Sequence, residues 1–83
     1  MENYTQKEIT AMKRALDIMG LDGKSGDYIG EEVDISTGRN GRKYAWLRWD
    51  EQNILVDVET GETMEATDGD GSEAEQFILD QFC

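Results

Sequence analysis

Carboxylates are the side chains of this chain whose number and spacing have chemical consequences. The 83 residues carry 19 Asp and Glu, eight Lys and Arg and no His, which gives a net charge of −11. The last cation is Arg48, and eleven acids follow it: Asp50, Glu51, Asp57, Glu59, Glu62, Glu65, Asp68, Asp70, Glu73, Glu75 and Asp80. The part up to Arg48 is neutral, because its eight acids balance all eight cations. A field of one sign in one contiguous region predicts a basic partner.

These carboxylates do not form a recognisable catalytic arrangement. Hydrolytic pairs need one desolvated carboxyl group, whereas the adjacent acids Glu31-Glu32 and Asp50-Glu51 point to opposite sides of a strand. The chain has no His, the usual general base near neutral pH, and the terminal Cys83 has no basic neighbour that would lower its pKa. We therefore expect no enzymatic activity, no catalytic residue and no cofactor.

One short stretch has the alternating oxygen ligands of a metal-binding loop. Asp68-Gly69-Asp70-Gly71-Ser72 resembles the opening of an EF-hand calcium loop. The sixth position of that loop is Glu73 rather than Gly, and the twelfth is Leu79 rather than a bidentate Glu. We expect a solvated loop that leads into a helix and predict no metal site, with weak divalent-ion binding as the alternative.

The four basic residues Arg39, Arg42, Lys43 and Arg48, close to Tyr44 and Trp46, have the composition of a small nucleic-acid patch. The charge of the whole chain opposes that function, since a protein at −11 repels polyanions over a Debye length of about 8 Å. We expect no direct binding of nucleic acid.

Local signals define the elements that must position these groups. Thr5 and Glu8 form a capping box, apolar residues recur at helical spacing, and Gly20 ends the pattern, which predicts a helix over Gln6–Met19. Alternating apolar residues predict strands at 28–35, 42–50, 54–59 and 62–66, separated by turns rich in Gly, Asn and Asp. A second capping box predicts a helix from Ser72 that carries Phe77, Ile78 and Phe82.

The order of these elements indicates one α+β domain over residues 1–83. The expected architecture is an N-terminal helix, an antiparallel β-meander of three to four strands and a C-terminal helix, α-β-β-β-β-α, with both helices on one face of the sheet. Both faces of the second strand carry large side chains, so this strand is expected to be central.

The acidic region then becomes the predicted partner-binding surface. Carboxylates two apart on a strand lie about 6.7 Å from each other, a spacing comparable to that of backbone phosphates. Trp46 and Tyr44 are the predicted aromatic anchors if their face is exposed. The predicted acids are Asp57, Glu59, Glu62, Glu65, Asp68, Asp70, Glu73 and Glu75.

The function expected from this surface is inhibition of a basic nucleic-acid-binding protein or nuclease, by DNA mimicry or by steric blockade. In character the chain is similar to small acidic phage proteins that inhibit host defence nucleases, including anti-CRISPR and anti-restriction proteins. The alternative is a structural or assembly module that acts as a homodimer or complex subunit.

The sequence also predicts where the protein acts. It has no signal-peptide pattern and no apolar run near the roughly 18 residues of a membrane span. We therefore expect a cytoplasmic protein without a membrane partner, in the host cytoplasm if the gene belongs to a phage.

Overall fold

A computed structural model describes residues 4–21, 28–66 and 72–83. In chain order the elements are α1 (Gln6–Met19), β1 (Val33–Thr37), β2 (Lys43–Trp49), β3 (Gln52–Asp57), β4 (Thr63–Ala66) and α2 (Ser72–Phe82). The four strands form one antiparallel sheet in the order β1-β2-β3-β4. The predicted α+β class and the meander are confirmed. None of the described helices is long and apolar enough to cross a membrane.

Helix α1 begins and ends where its local chemistry predicts. The Glu8 amide donates to Thr5 Oγ1 over 3.2 Å, and the Thr5 amide donates to Glu8 Oε1 over 2.8 Å, which completes the capping box. At the other end Gly20 takes a φ of 86°, and the Leu21 amide donates to the Leu16 carbonyl over 2.8 Å. The buried face of α1 then packs on the sheet through Ala11, Met12, Ala15 and Leu16.

Two predicted strands have the wrong boundaries because turns interrupt the expected patterns. The first strand begins at Val33 rather than at residue 28, because Gly30 has a φ of 87° and its amide donates to the Val33 carbonyl over 2.8 Å. The third strand begins at Gln52 and ends at Asp57, so it does not span 54–59. Its connection to β2 is the two-residue turn Asp50-Glu51, since Trp49 already pairs with Gln52.

The helices pack on opposite faces of the sheet, and the expectation that they share one face is wrong. One face, which carries Ala45 and Leu47, packs on α1, whereas the face that carries Tyr44 and Leu55 packs on Ala74 and Phe82 of α2. Trp49 and Trp46 are half-buried, each packed against one of these two cores. The protein is therefore a three-layer arrangement of helix, sheet and helix, and β2 and β3 lie at its centre.

Candidate functional site

Asp57 was predicted to contribute to an exposed acidic surface, but its side chain is buried. Its relative exposure is 0%, and Oδ1 accepts hydrogen bonds from the amides of Glu59 and Thr60 over 2.8 and 3.2 Å. Arg42 Nη2 donates to Oδ2, and Gln81 Nε2 donates to the same oxygen over 3.3 Å. Burial alone raises the pKa of Asp57, but these donors and the Arg42 charge outweigh it and hold the pKa below its usual value. Asp57 therefore fixes the β3–β4 turn and does not face a partner.

The next two predicted acids lie on either side of that turn and have partners within the protein. Glu59 lies 3.7 Å from Lys7 Nζ at the start of α1. Glu62 accepts a hydrogen bond of 2.6 Å from Gln81 Nε2 near the end of α2. Because Asp57 is buried and Glu59 and Glu62 each have a partner within the protein, the three carboxylates do not form one exposed array.

We call this end of the molecule the paired end, because its carboxylates are matched by donors. It consists of the β1–β2 and β3–β4 turns, the start of α1 and the end of α2. Glu8 is 5% exposed and accepts a 3.0 Å hydrogen bond from Lys43 Nζ. The hydrogen bond from the Thr5 amide, together with Lys43, lowers the pKa of Glu8. The Asn40 amide donates to the Phe82 carbonyl over 3.0 Å, which attaches α2 to the β1–β2 turn.

Three of the remaining predicted acids, Glu65, Glu73 and Glu75, lie on two separate elements of the surface. Glu65 is exposed on β4 opposite Ile54, on the side of the sheet that faces α1. Glu73 and Glu75 are exposed in the first turn of α2, where carboxylates favourably oppose the helix dipole. Asp68 and Asp70, with the calcium-like loop to which they belong, lie outside the described residues.

The two predicted aromatic anchors have different environments. Tyr44 is only 6% exposed and its ring centroid lies 4.6 Å from that of Phe82, so burial raises its pKa and prevents it from acting as an anchor. Trp46 is half-buried, and its Nε1 donates to Asn53 Oδ1 over 2.9 Å. The guanidinium of the exposed Arg48 lies over the Trp46 ring, 4.3 Å from its centroid. Trp46 and Arg48 therefore form one stacked unit at the surface.

That unit borders a group of acids that the prediction did not include. The Arg48 amide donates to the Glu32 carbonyl over 3.1 Å, which places the Glu31-Glu32 turn beside the end of β2. The Asp50-Glu51 turn follows β2 directly, so four exposed acids lie at this end of the sheet. None of their carboxylates has a hydrogen-bond or ion-pair partner among residues 4–21, 28–66 and 72–83. We call Glu31, Glu32, Asp50 and Glu51 the acidic end.

The backbone of the Asp50-Glu51 turn is unusual for the residues that it carries. Asp50 has a φ of 54° and Glu51 a φ of 63°, the left-handed conformation that a tight turn between two strands requires. Asn and Gly are preferred at such positions, and a Glu there raises the energy of the backbone. Two adjacent acids in this turn are thus unfavourable both for the backbone and for the electrostatic energy. Such local costs are typical of positions selected for function.

The acidic end could have been found from the sequence only if the pairing register of the strands had been known. Both acid pairs are visible there, but only the pairing of Trp49 with Gln52 and of Val33 with Leu47 brings them to the same end of the sheet. The turn lacks Gly and Asn, and so it lacks the usual hairpin signal.

No group of three or more His, Cys, Asp or Glu residues in the described segments is arranged to hold a metal ion. No protein-family model, no curated protein and no solved structure matches the chain.

Proposed function

We propose that this protein is a non-catalytic inhibitor that uses its acidic end to bind the basic, nucleic-acid-binding surface of another protein. The observation that carries the proposal is the acidic end itself, where four exposed carboxylates have no partner in the described part of the chain. The backbone cost of the Asp50-Glu51 turn supports it, because solubility alone does not require acids at these two positions.

The position of these acids suits a surface that binds nucleic acid. They follow or precede adjacent strand ends, so four negative charges lie close together at one end of the sheet. A basic groove that holds phosphates would meet the acidic end with complementary charge. The field of the whole chain, at −11, would accelerate the encounter and make it sensitive to salt.

The stacked pair of Trp46 and Arg48 supplies the second part of the proposed interface. Trp and Arg are the residue types that most often dominate binding energy, and the stacking holds the guanidinium in place before a partner arrives. Arg48 is also available to pair with an acid on the partner's rim. The carboxylates would then set the association rate, and the Trp46–Arg48 pair would slow dissociation.

A matched pair of variants tests the proposal. In the first, Glu31, Glu32, Asp50 and Glu51 are replaced by their amides. In the control the same number of charges is removed elsewhere, at Asp17, Glu59, Glu62 and Asp80. Both variants carry the same net charge, so a difference between them reports position rather than total charge.

The measurement begins with affinity capture from a cell lysate at low salt, followed by binding of the captured protein to a duplex oligonucleotide. We expect the wild type and the control to capture a nucleic-acid-binding protein and to block its oligonucleotide binding, and the acidic-end variant to associate about tenfold more slowly or worse. Equal loss in both variants, or a captured protein that still binds the oligonucleotide, would refute the proposal.

A further inference from the structure

The two edges of the sheet differ in how their backbone groups are satisfied. On β1, Ile35 directs its amide away from β2, and this amide donates to Asp34 Oδ1 over 2.7 Å. The same oxygen accepts a 2.7 Å hydrogen bond from the Tyr4 hydroxyl. The outward carbonyl of Val33 accepts from the Gly30 amide. Side chains and a turn therefore close much of the β1 edge to an additional strand.

Among the residues that the structure describes, none closes the β4 edge in this way. The Asp57 amide donates to the Glu62 carbonyl, so in the antiparallel ladder Met64 and Ala66 direct their amides toward β3, and Thr63 and Glu65 direct theirs outward. Within the described segments, no hydrogen bond reaches the outward backbone groups of Thr63 and Glu65. Residues Thr63–Ala66 also contain no Pro or Lys, the residues that commonly protect an edge.

We propose that the β4 edge binds an extended, basic peptide segment of the partner as a fifth strand. Strand addition would satisfy the amides and carbonyls of Thr63 and Glu65. On one face the added strand would place a Lys or Arg opposite the exposed Glu65, and on the other an apolar side chain beside the half-buried Met64. The segment that fits therefore alternates basic and apolar residues. The basic character of the partner rests on the proposed function. The open β4 edge is inferred from the hydrogen bonds of β3 and β4 alone.

Charge decides between such a segment and a second copy of this chain. Pairing of two β4 edges would bring two Glu65 carboxylates toward each other and join two chains that each carry −11. Like charges across a strand pair destabilise it. A basic segment is attracted electrostatically to the same edge. A strand from another protein is therefore favoured over a second copy of this chain.

The probe is a seven-residue peptide that alternates Lys with Val and is capped at both ends. Added to the ¹⁵N-labelled full chain, it should shift the amide signals of Thr63 and Glu65 and slow their hydrogen exchange, while Ile35 on the β1 edge remains unchanged. A peptide of the same pattern with Glu in place of Lys should not bind.

Two proline variants test the backbone contact without a change of charge. Thr63→Pro removes an outward amide that the β3–β4 ladder does not use, and we expect it to weaken peptide binding at least tenfold. Thr37→Pro makes the same change on the β1 edge and should leave binding unchanged. Circular dichroism establishes that each variant folds. The slower hydrogen exchange of the Thr63 and Glu65 amides in the wild-type complex tests the proposal without either variant.

Each contrary result has a definite meaning. Peptide binding that is equal in Thr63→Pro, absent altogether, or centred on Asp50 and Glu51 would overturn strand addition. Peptide binding centred on Asp50 and Glu51 would leave the proposed acidic-end interface intact. Peptide binding at β4, together with no effect of the acidic-end variant on capture, would instead support strand addition and refute the acidic-end interface. A dimer in light scattering that Thr63→Pro converts to a monomer would identify a second copy as the occupant and overturn the basic segment.

Discussion

The two ends of the sheet carry similar numbers of acids but differ in whether the carboxylates have partners within the described protein. At the paired end Glu8 and Asp57 are buried and hydrogen-bonded, and Glu59 and Glu62 lie beside Lys7 and Gln81. At the acidic end the four carboxylates are exposed and have no partner in the described part of the chain. The difference teaches that the first group of acids contributes to stability and that the second remains available for binding.

This division does not follow the charge division of the sequence. The neutral first part of the chain supplies Glu31 and Glu32 to the acidic end, and the acidic second part supplies Asp57 to the paired end. The division between the two groups of acids is therefore a property of the sheet register. Net charge along the chain predicted a basic partner but did not indicate that Glu31, Glu32, Asp50 and Glu51 would lie together.

The same substitution at the two ends should have very different effects on stability. Asp57→Asn leaves the partly exposed Arg42 and the turn amides without a charged acceptor, and we expect the free energy of unfolding to fall by about 2–3 kcal/mol. Asp50→Asn removes no hydrogen bond or ion pair within the described part of the chain and places Asn in a conformation that it favours, so stability should change by less than about 0.5 kcal/mol. Urea unfolding followed by Trp fluorescence measures both, and equal losses would contradict the comparison.

The pH dependence of the Asp57→Asn effect provides an independent test. Because the folded-state pKa of Asp57 is lowered, its ionised form stabilises the protein fully above the unfolded-state pKa of about 3.9 and loses that contribution as pH falls through the folded value. The stability gap between wild type and variant should be constant from pH 7 to 5 and shrink below about pH 4. A gap that widens in acid would show that the carboxylate is not held in its charged form.

The buried Glu8 should give the next largest effect. Glu8→Ala removes one half of the capping box and the partner of Lys43, and we expect a loss of about 1 kcal/mol. Glu8→Gln retains an acceptor for the Thr5 amide and should lose roughly half as much. Thermal unfolding of the two variants distinguishes the contribution of the capping hydrogen bond from that of the charge interaction with Lys43. Identical losses of stability would assign the whole effect to the charge.

A gain in stability is expected at the acidic end. Glu51→Gly replaces a non-glycine residue at a φ of 63° and removes one of the four charges of the acidic end, so the free energy of unfolding should rise by about 0.5–1 kcal/mol. The same variant should slow association with the captured partner. A stabilised protein that binds as fast as wild type would show that Glu51 has no part in the interface.

The parts of the fold that local chemistry determines were predictable, and the parts that tertiary packing determines were not. Thr5, Glu8 and Gly20 define both ends of α1 without reference to the rest of the chain. The side of the sheet on which α2 packs depends on whether Tyr44 or Ala45 faces it, and both strand faces are apolar enough for either result. The burial of Asp57 likewise depends on the distant Arg42 and Gln81, which no spacing in the sequence connects.

The smallest expected effect is the loss of stability on removal of the exposed ion pair between Lys7 and Glu59. It tests whether buried carboxylates, rather than surface ion pairs, stabilise the paired end. Lys7 and Glu59 are 70% and 59% exposed and 3.7 Å apart, so Lys7→Ala should cost less than about 0.5 kcal/mol. Lys13→Ala on the exposed side of α1 is the matched control and should cost about the same. If both changes are small, the stability of this end resides in the desolvated carboxylates of Glu8 and Asp57, and the contrast between the ends is one of buried against exposed charge. A loss for Lys7→Ala near that of Glu8→Ala would instead make the surface pair a structural element and weaken that contrast.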